Sequence, residues 1–173
     1  MLTVLQEKLA ESHGLAIAAA VVVDKVEAHT LDLELRRRLW TMQDEAAEVR
    51  ARCLAAEQRL GLEEELLAQA HVTRDHAADL SAAWFKAGTS PLRAWAFLAM
   101  GEAGEVSTWA ALNALASGAN GTAELAAWGL PLQQRHLELA LDGAARLARR
   151  WSPSSRRARH RSGRSGRRWR RSS

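Results

Sequence analysis

Along residues 1–151 the apolar positions recur at intervals of three and four, the repeat of one face of an α-helix. Leu2, Leu5, Leu9, Ala16 and Val23 predict a first helix over 2–29. A second, over 33–60, has the most regular seam. Leu35, Leu39, Met42, Ala46, Val49, Cys53, Ala56 and Leu60 alternate by four and three, and Gly61 supplies a stop. Residues 62–88 are charged and Ala-rich, and read as a long, partly helical connection. Ser90 as N-cap and Pro91 at the first helical position open a third helix over 91–116. A turn cluster at 117–122 leads to a fourth over 123–150, in which Pro131 is a candidate kink. The pattern predicts an all-α domain: an antiparallel four-helix bundle of two hairpins joined by the long crossover.

Composition supports helices. Hydrophobic residues make up 47% of the chain and are mostly Ala and Leu, Tyr is absent, and Pro occurs three times. The lone Cys53 excludes an internal disulfide and a Cys-based zinc cluster, and reads as a small core residue. The first thirteen residues mix acids and bases without a long apolar run, so no secretory signal is expected. The longest uncharged apolar run, 15–23, has nine residues against the roughly 20 that span a bilayer, so no membrane span is expected and a cytoplasmic location is.

Chemistry is sparse, with one exception. In the third helix Leu98, Glu102, Glu105, Trp109, Leu112 and Ala116 are spaced four, three, four, three, four. Two acids thus fall on the stripe that should face the bundle interior, with Gly101 and Gly104 beside them to admit a neighbouring helix. A buried carboxylate needs a metal, a basic partner or a proton. In the fourth helix Gln133 and His136 lie three apart, on a face with the small residues Gly129, Ala140 and Ala144. Two acids opposite such a pair make a candidate carboxylate-bridged metal site.

The stretch EAGEVSTWAAL (102–112), with its lead-in SPLRAWAFLAM (90–100), resembles the third-helix motif of bacterial stress-associated ferritin-like bundles. There a Glu-x-x-Glu pair is followed by an aliphatic residue and then an aromatic one. The resemblance implies a ferritin-like four-helix bundle and a di-iron or di-manganese site with Glu102, Glu105 and His136 among its ligands. Glu11 in the first helix and Glu45 in the second are further candidates. The chain departs from the pattern at Gln133, where Glu is expected, and at Met42, Ala46 and Val49, which are apolar. Such sites use six ligands, so the expected reading is a non-catalytic protein of stress or metal handling, or a dimerising scaffold, with a vestigial or weak iron or manganese site. Its acids would then pair internally, with His136 or with an Arg such as Arg93. The alternative is a di-iron or di-manganese oxidase or peroxidase.

Other enzyme classes find no footing. His13 lies about 200° round the helix from Glu11, and His71 and His76 about 140° apart, so neither pair converges. Gly101–Gly104 sits within a predicted helix with no strand before it, so it is no phosphate loop. Trp40, Trp95, Trp109 and Trp128 are expected in the core.

Charge divides the chain. Residues 152–173 hold nine of the 24 basic residues and no acid. The remaining 15 face 20 acids in 1–151, a net of −5. An acidic body therefore carries an Arg/Ser-rich segment, expected to be disordered, that suits sequence-independent contact with nucleic acid or another anionic surface.

Overall fold

The computed structural model describes residues 1–116, 118 and 121–151. Among them the chain forms five helices and no strand: α1 (Val4–Ala28), α2 (Leu33–Leu60), α3 (Glu63–Trp84), α4 (Pro91–Leu115) and α5 (Thr122–Trp151). Their ends follow local chemistry. Thr3 and Gln6 form a reciprocal capping box on α1. Asp32 accepts from the Glu34 and Leu35 amides to start α2, and Gly61, at φ 67°, ends it in the left-handed conformation. Ser90 caps α4 ahead of Pro91. The crossover is helical over most of its length, with three acids, Glu63, Glu64 and Glu65, in the first turn of α3.

Cross-helix pairs give the directions. On α1 and α2, Asp24 meets Gln43 and His13 meets Glu57, so the two run antiparallel. Glu11 meets Thr108 and Thr30 meets Trp95, which makes α4 antiparallel to α1. Asp32 with Arg146, Arg38 with Asp142 and Glu45 with His136 order α5 antiparallel to α2. Close contact of Gly14 with Ala70 and the Lys25–Ser81 hydrogen bond of 2.6 Å lay α3 parallel to α1. The packing is bundle-like, and no helix is long and apolar enough to cross a membrane among the described residues.

Two glycines set the α4–α5 contact. A Cβ at Gly129 would land in the ring of Trp109, and one at Gly143 in the ring of Trp95. Both indoles are fully buried. Trp95 donates Nε1–H to Thr30 Oγ1 at 2.9 Å. Trp40 stands outside this scheme. It is 42% exposed, because it lies one residue past Leu39 and off the buried seam. Its expected place in the core is therefore corrected. Trp128 is half-buried and stacks under Arg52, 4.0 Å from the ring centre.

The core is divided into two. One apolar cluster gathers Leu9, Val49, Cys53, Trp109, Leu112, Leu125 and Leu132. The other gathers Val23, Val26, Leu35, Leu39, Met42, Trp95, Leu98 and Ala140. Along α4, α5 and α2 the residues between these clusters are Glu102 and Glu105, Gln133 and His136, and Glu45, which form a polar layer inside the bundle.

Candidate functional site

The layer is where the sequence placed its acids. Every member of the α4 stripe is buried, Glu102 at 3% exposure and Glu105 at 6% included. Gln133 and His136 are buried opposite them on α5. The helical period alone brings these groups inward.

His136 ties the layer together. Its Nε2 lies 2.7 Å from Glu45 Oε2, and its Nδ1 lies 3.7 Å from Glu102 Oε2. Arg135 reaches the other oxygen of Glu45 at 3.3 Å. The short contact assigns the ring proton to Nε2, which donates to Glu45, and leaves the Nδ1 lone pair facing Glu102. Burial pulls His136 below its ordinary pKa despite the pull of Glu45 in the opposite sense, so the ring is neutral at pH 7. Burial and the charge of Glu105 raise Glu102 well above the usual carboxylate range. Burial alone lifts Glu105 from an ordinary 4.5 to about 7. At 3.7 Å the imidazole lone pair lies near Glu102 Oε2 but beyond hydrogen-bond length. As placed, Glu102 Oε2 and Gln133 Oε1 have no hydrogen-bond partner.

The remaining candidates sit apart. Glu11 accepts from Thr108 Oγ1 at 2.8 Å, one turn from Glu105, and its other oxygen is held by Lys8. Arg93 does not pair with the acids; it stacks on Trp84, 4.9 Å from the ring. A buried pair that the sequence did not suggest lies between α1 and α2. His13 Nδ1–H donates to Glu57 Oε1 at 2.9 Å, with both side chains enclosed, and Glu57 Oε2 has no partner. Cys53 is near enough that Glu57 and Glu105 add to burial in raising its thiol pKa. Glu57 follows the seam residue Ala56 by one position, so its face gave no signal, and its partner is 44 residues away.

Among the described residues no group of three or more His, Cys, Asp or Glu is placed to hold a metal ion. The donor set agrees with that geometry. Gln133 brings no charge, His136 is engaged by Glu45, and Glu11 is engaged by Lys8 and Thr108. These residues do not fit a dinuclear centre.

The chain matches no family model, no curated protein and no solved structure.

Beside the acids the wall of the bundle is open. A cleft of about 290 Å³ between α1, α3 and α4 is lined by Leu15, Ala18, Val22, Leu80, Phe97 and Met100, with Glu102 and Glu105 as its only titratable wall groups. Gly101 and Gly104 border it, and a Cβ at either would meet nothing within 4 Å. The glycines therefore do not admit a neighbouring helix, as the sequence suggested; they keep one flank of the cleft low.

Proposed function

We propose that the chain is a non-catalytic helical-bundle protein of ferritin-like arrangement, whose interior acids are held by protons and by contact with the imidazole of His136 instead of by a metal pair. Four helices, α1, α2, α4 and α5, supply the bundle, and α3 is the crossover that returns the chain between the two hairpins. The support for the arrangement is the order of cross-helix pairs, with α1 beside α2 and α4, and α5 beside α2 and α4. The observation that carries the function is the 2.7 Å bond of His136 to Glu45, with Glu102 standing 3.7 Å from the other ring nitrogen. It spends one imidazole nitrogen on a carboxyl that a metal centre would need free.

In this reading the protein binds rather than turns over. Any single divalent ion, iron or manganese, is held weakly through Glu102 and Glu105, and the role in stress or metal handling does not require oxidation of ferrous iron. Elemental analysis after loading with iron or manganese, followed by desalting, tests it. Fewer than about 0.2 metal ions per chain, with no oxygen consumed in the presence of ferrous iron, is the expected result. Two retained ions per chain, or oxygen consumption, would restore the oxidase or peroxidase reading.

A second reading rests on the sequence of 152–173, which lies outside the described residues. Nine Arg with Trp169 and no acid favour contact with nucleic acid through phosphates and base stacking. Such contact would not read sequence and would weaken steeply with salt.

A further inference from the structure

We propose that the outward face of the α4–α5 hairpin is the interface of a homodimer, in which a second copy of this chain lies antiparallel across both helices. This goes beyond the proposed function and does not depend on what the interior acids hold.

The first observation is the composition of α4. Between Arg93 and its end at Leu115 the helix carries two charged residues, Glu102 and Glu105, and both are buried. Its exposed side is therefore uncharged for about six turns, and its inner and outer faces scarcely differ in polarity. A helix that is apolar all round is ordinarily enclosed on every side. One copy of the chain packs α4 chiefly against α1 and α5 and leaves its outer side to solvent. The contrast with α2 is plain, since α2 exposes Arg37, Asp44, Glu48 and Arg52.

The second is a repeat on both helices. Ala96, Met100, Ala103, Ser107 and Ala110 are spaced four, three, four, three, and all are exposed. They stand about 160° round α4 from its buried seam. On α5, Ala127, Leu130, Gln134, Leu137 and Leu141 are spaced three, four, three, four, and each is exposed or half-buried. Two positions in every seven is the interval of a seam that packs against another helix. The charges of α5 lie on its other flank. Arg135, Asp142 and Arg146 pair with Glu45, Arg38 and Asp32 of α2, and Glu124 lies beside Arg52 and Arg59. Glu138, three residues from Arg135 and four from Asp142, shares that flank.

The third is symmetry and size. Gly129 packs on Trp109 and Gly143 on Trp95, so the middle members of the two stripes, Ala103 and Gln134, stand at one level of the hairpin. A two-fold axis at that level lays each stripe antiparallel on its own copy. Gln134, whose amide both donates and accepts, then meets its counterpart, and no like charges are opposed. Met100 and Leu141, exposed at 51% and 54%, supply apolar area, while Ala and Ser on α4 let the helices approach closely. At about 1.5 Å per residue and a width of about 10 Å per helix, the face spans roughly 600 Å² per copy and about 1,200 Å² in the dimer, the lower bound for a stable, specific interface. A face whose two stripes are centred on one level fits its own copy better than an unrelated partner.

Sedimentation equilibrium of the full chain tests this, after nuclease treatment and at about 0.3 M salt, so that the Arg-rich segment bridges no nucleic acid. The native chain should pass from 19.0 kDa to twice that mass between about 1 and 200 µM. Ala103→Glu and Leu141→Glu, both at exposed positions, should stay helical by circular dichroism and weaken association about tenfold or more. Ala51→Glu, on the exposed side of α2, should dimerise as the native chain does. Mixing Ala103→Glu with Ala103→Lys should recover the double mass, which a misfolded variant could not do. A native chain that is monomeric at about 200 µM, a double mass that survives both Glu variants, or a Glu/Lys mixture that stays monomeric would overturn the proposal.

Discussion

At the scale of single residues, the paired acids of α4 dominate. Glu105 is raised from 4.5 to about 7, so the folded state holds its proton over a range where the unfolded chain has lost it. Stability is then complete below about pH 4.5, falls as pH rises through the interval to about 7, and levels off above it. The loss from this group is on the order of 3 kcal/mol. Chemical denaturation of the native chain at pH 5.5 and pH 8 should show that decline, and Glu105→Gln should flatten it and be the more stable form at pH 8. His136 works in the opposite sense. His136→Ala leaves Glu45 without its short bond and Glu102 facing a void, so a loss of about 2–4 kcal/mol is expected from urea unfolding. The inward acids were legible from spacing alone, since a period of three and four fixes a face. His13 and Glu57 were not. Periodicity reports one helix at a time, and a pair that crosses from α1 to α2 is invisible until the helices are docked.

At the scale of elements, the caps and the glycines decide the outcome. α2 begins and ends where Asp32 and Gly61 dictate, and α4 starts behind Ser90 and Pro91, so these boundaries followed from sequence. Asp32 has a second task that sequence did not reveal. It accepts from Arg150 at 2.6 Å and Arg146 at 3.2 Å, which fastens the start of α2 to the last turns of α5. Burial would raise its carboxyl, but the Leu35 amide and both guanidinium groups outweigh that and hold it below the ordinary range. Asp32→Ala should cost about 1–2 kcal/mol, read as a lower unfolding midpoint. Gly129→Ala and Gly143→Ala should each cost more, about 1–3 kcal/mol, because the methyl group must displace a buried indole. An intrinsic gain from Ala in a helix works against this loss, so a rise in stability would show that the indoles can move aside. Gly129, Ala140 and Ala144 of α5 were noticed in the sequence as the small residues on the face of Gln133 and His136. The partner of Gly129, Trp109, belongs to another helix and could not be assigned beforehand, and Gly143, which packs on Trp95, gave no signal.

At the scale of the whole molecule, the acidic body and the Arg-rich segment should be separable in function. Removal of 152–173 is expected to leave the unfolding midpoint of the body unchanged, because the described helices and both core clusters lie within residues 1–151. The same deletion should abolish retention on immobilised DNA at low salt. Retention that survives the deletion would place the contact on the body, whose net charge of −5 argues against it. The two-cluster core was only half legible. Sequence placed Glu102 and Glu105 opposite Gln133 and His136, but the division of the apolar residues into two clusters about that layer, and the approach of Glu45 to it, emerged only with the helices docked.

Gly14 does not line the cleft between α1, α3 and α4, yet it governs that cleft. A Cβ there would strike the backbone oxygen of Ala70 and the side chain of Thr73, so α3 rests on α1 at the closest approach the chain permits. Further along the same helix, Ala77 and Leu80 form the outer wall. The gauge of the opening is thus set about two turns away, by a missing methyl group. Restoring that methyl would act as a spacer, shifting α3 outward and loosening the fit of any guest without altering a single atom that touches it.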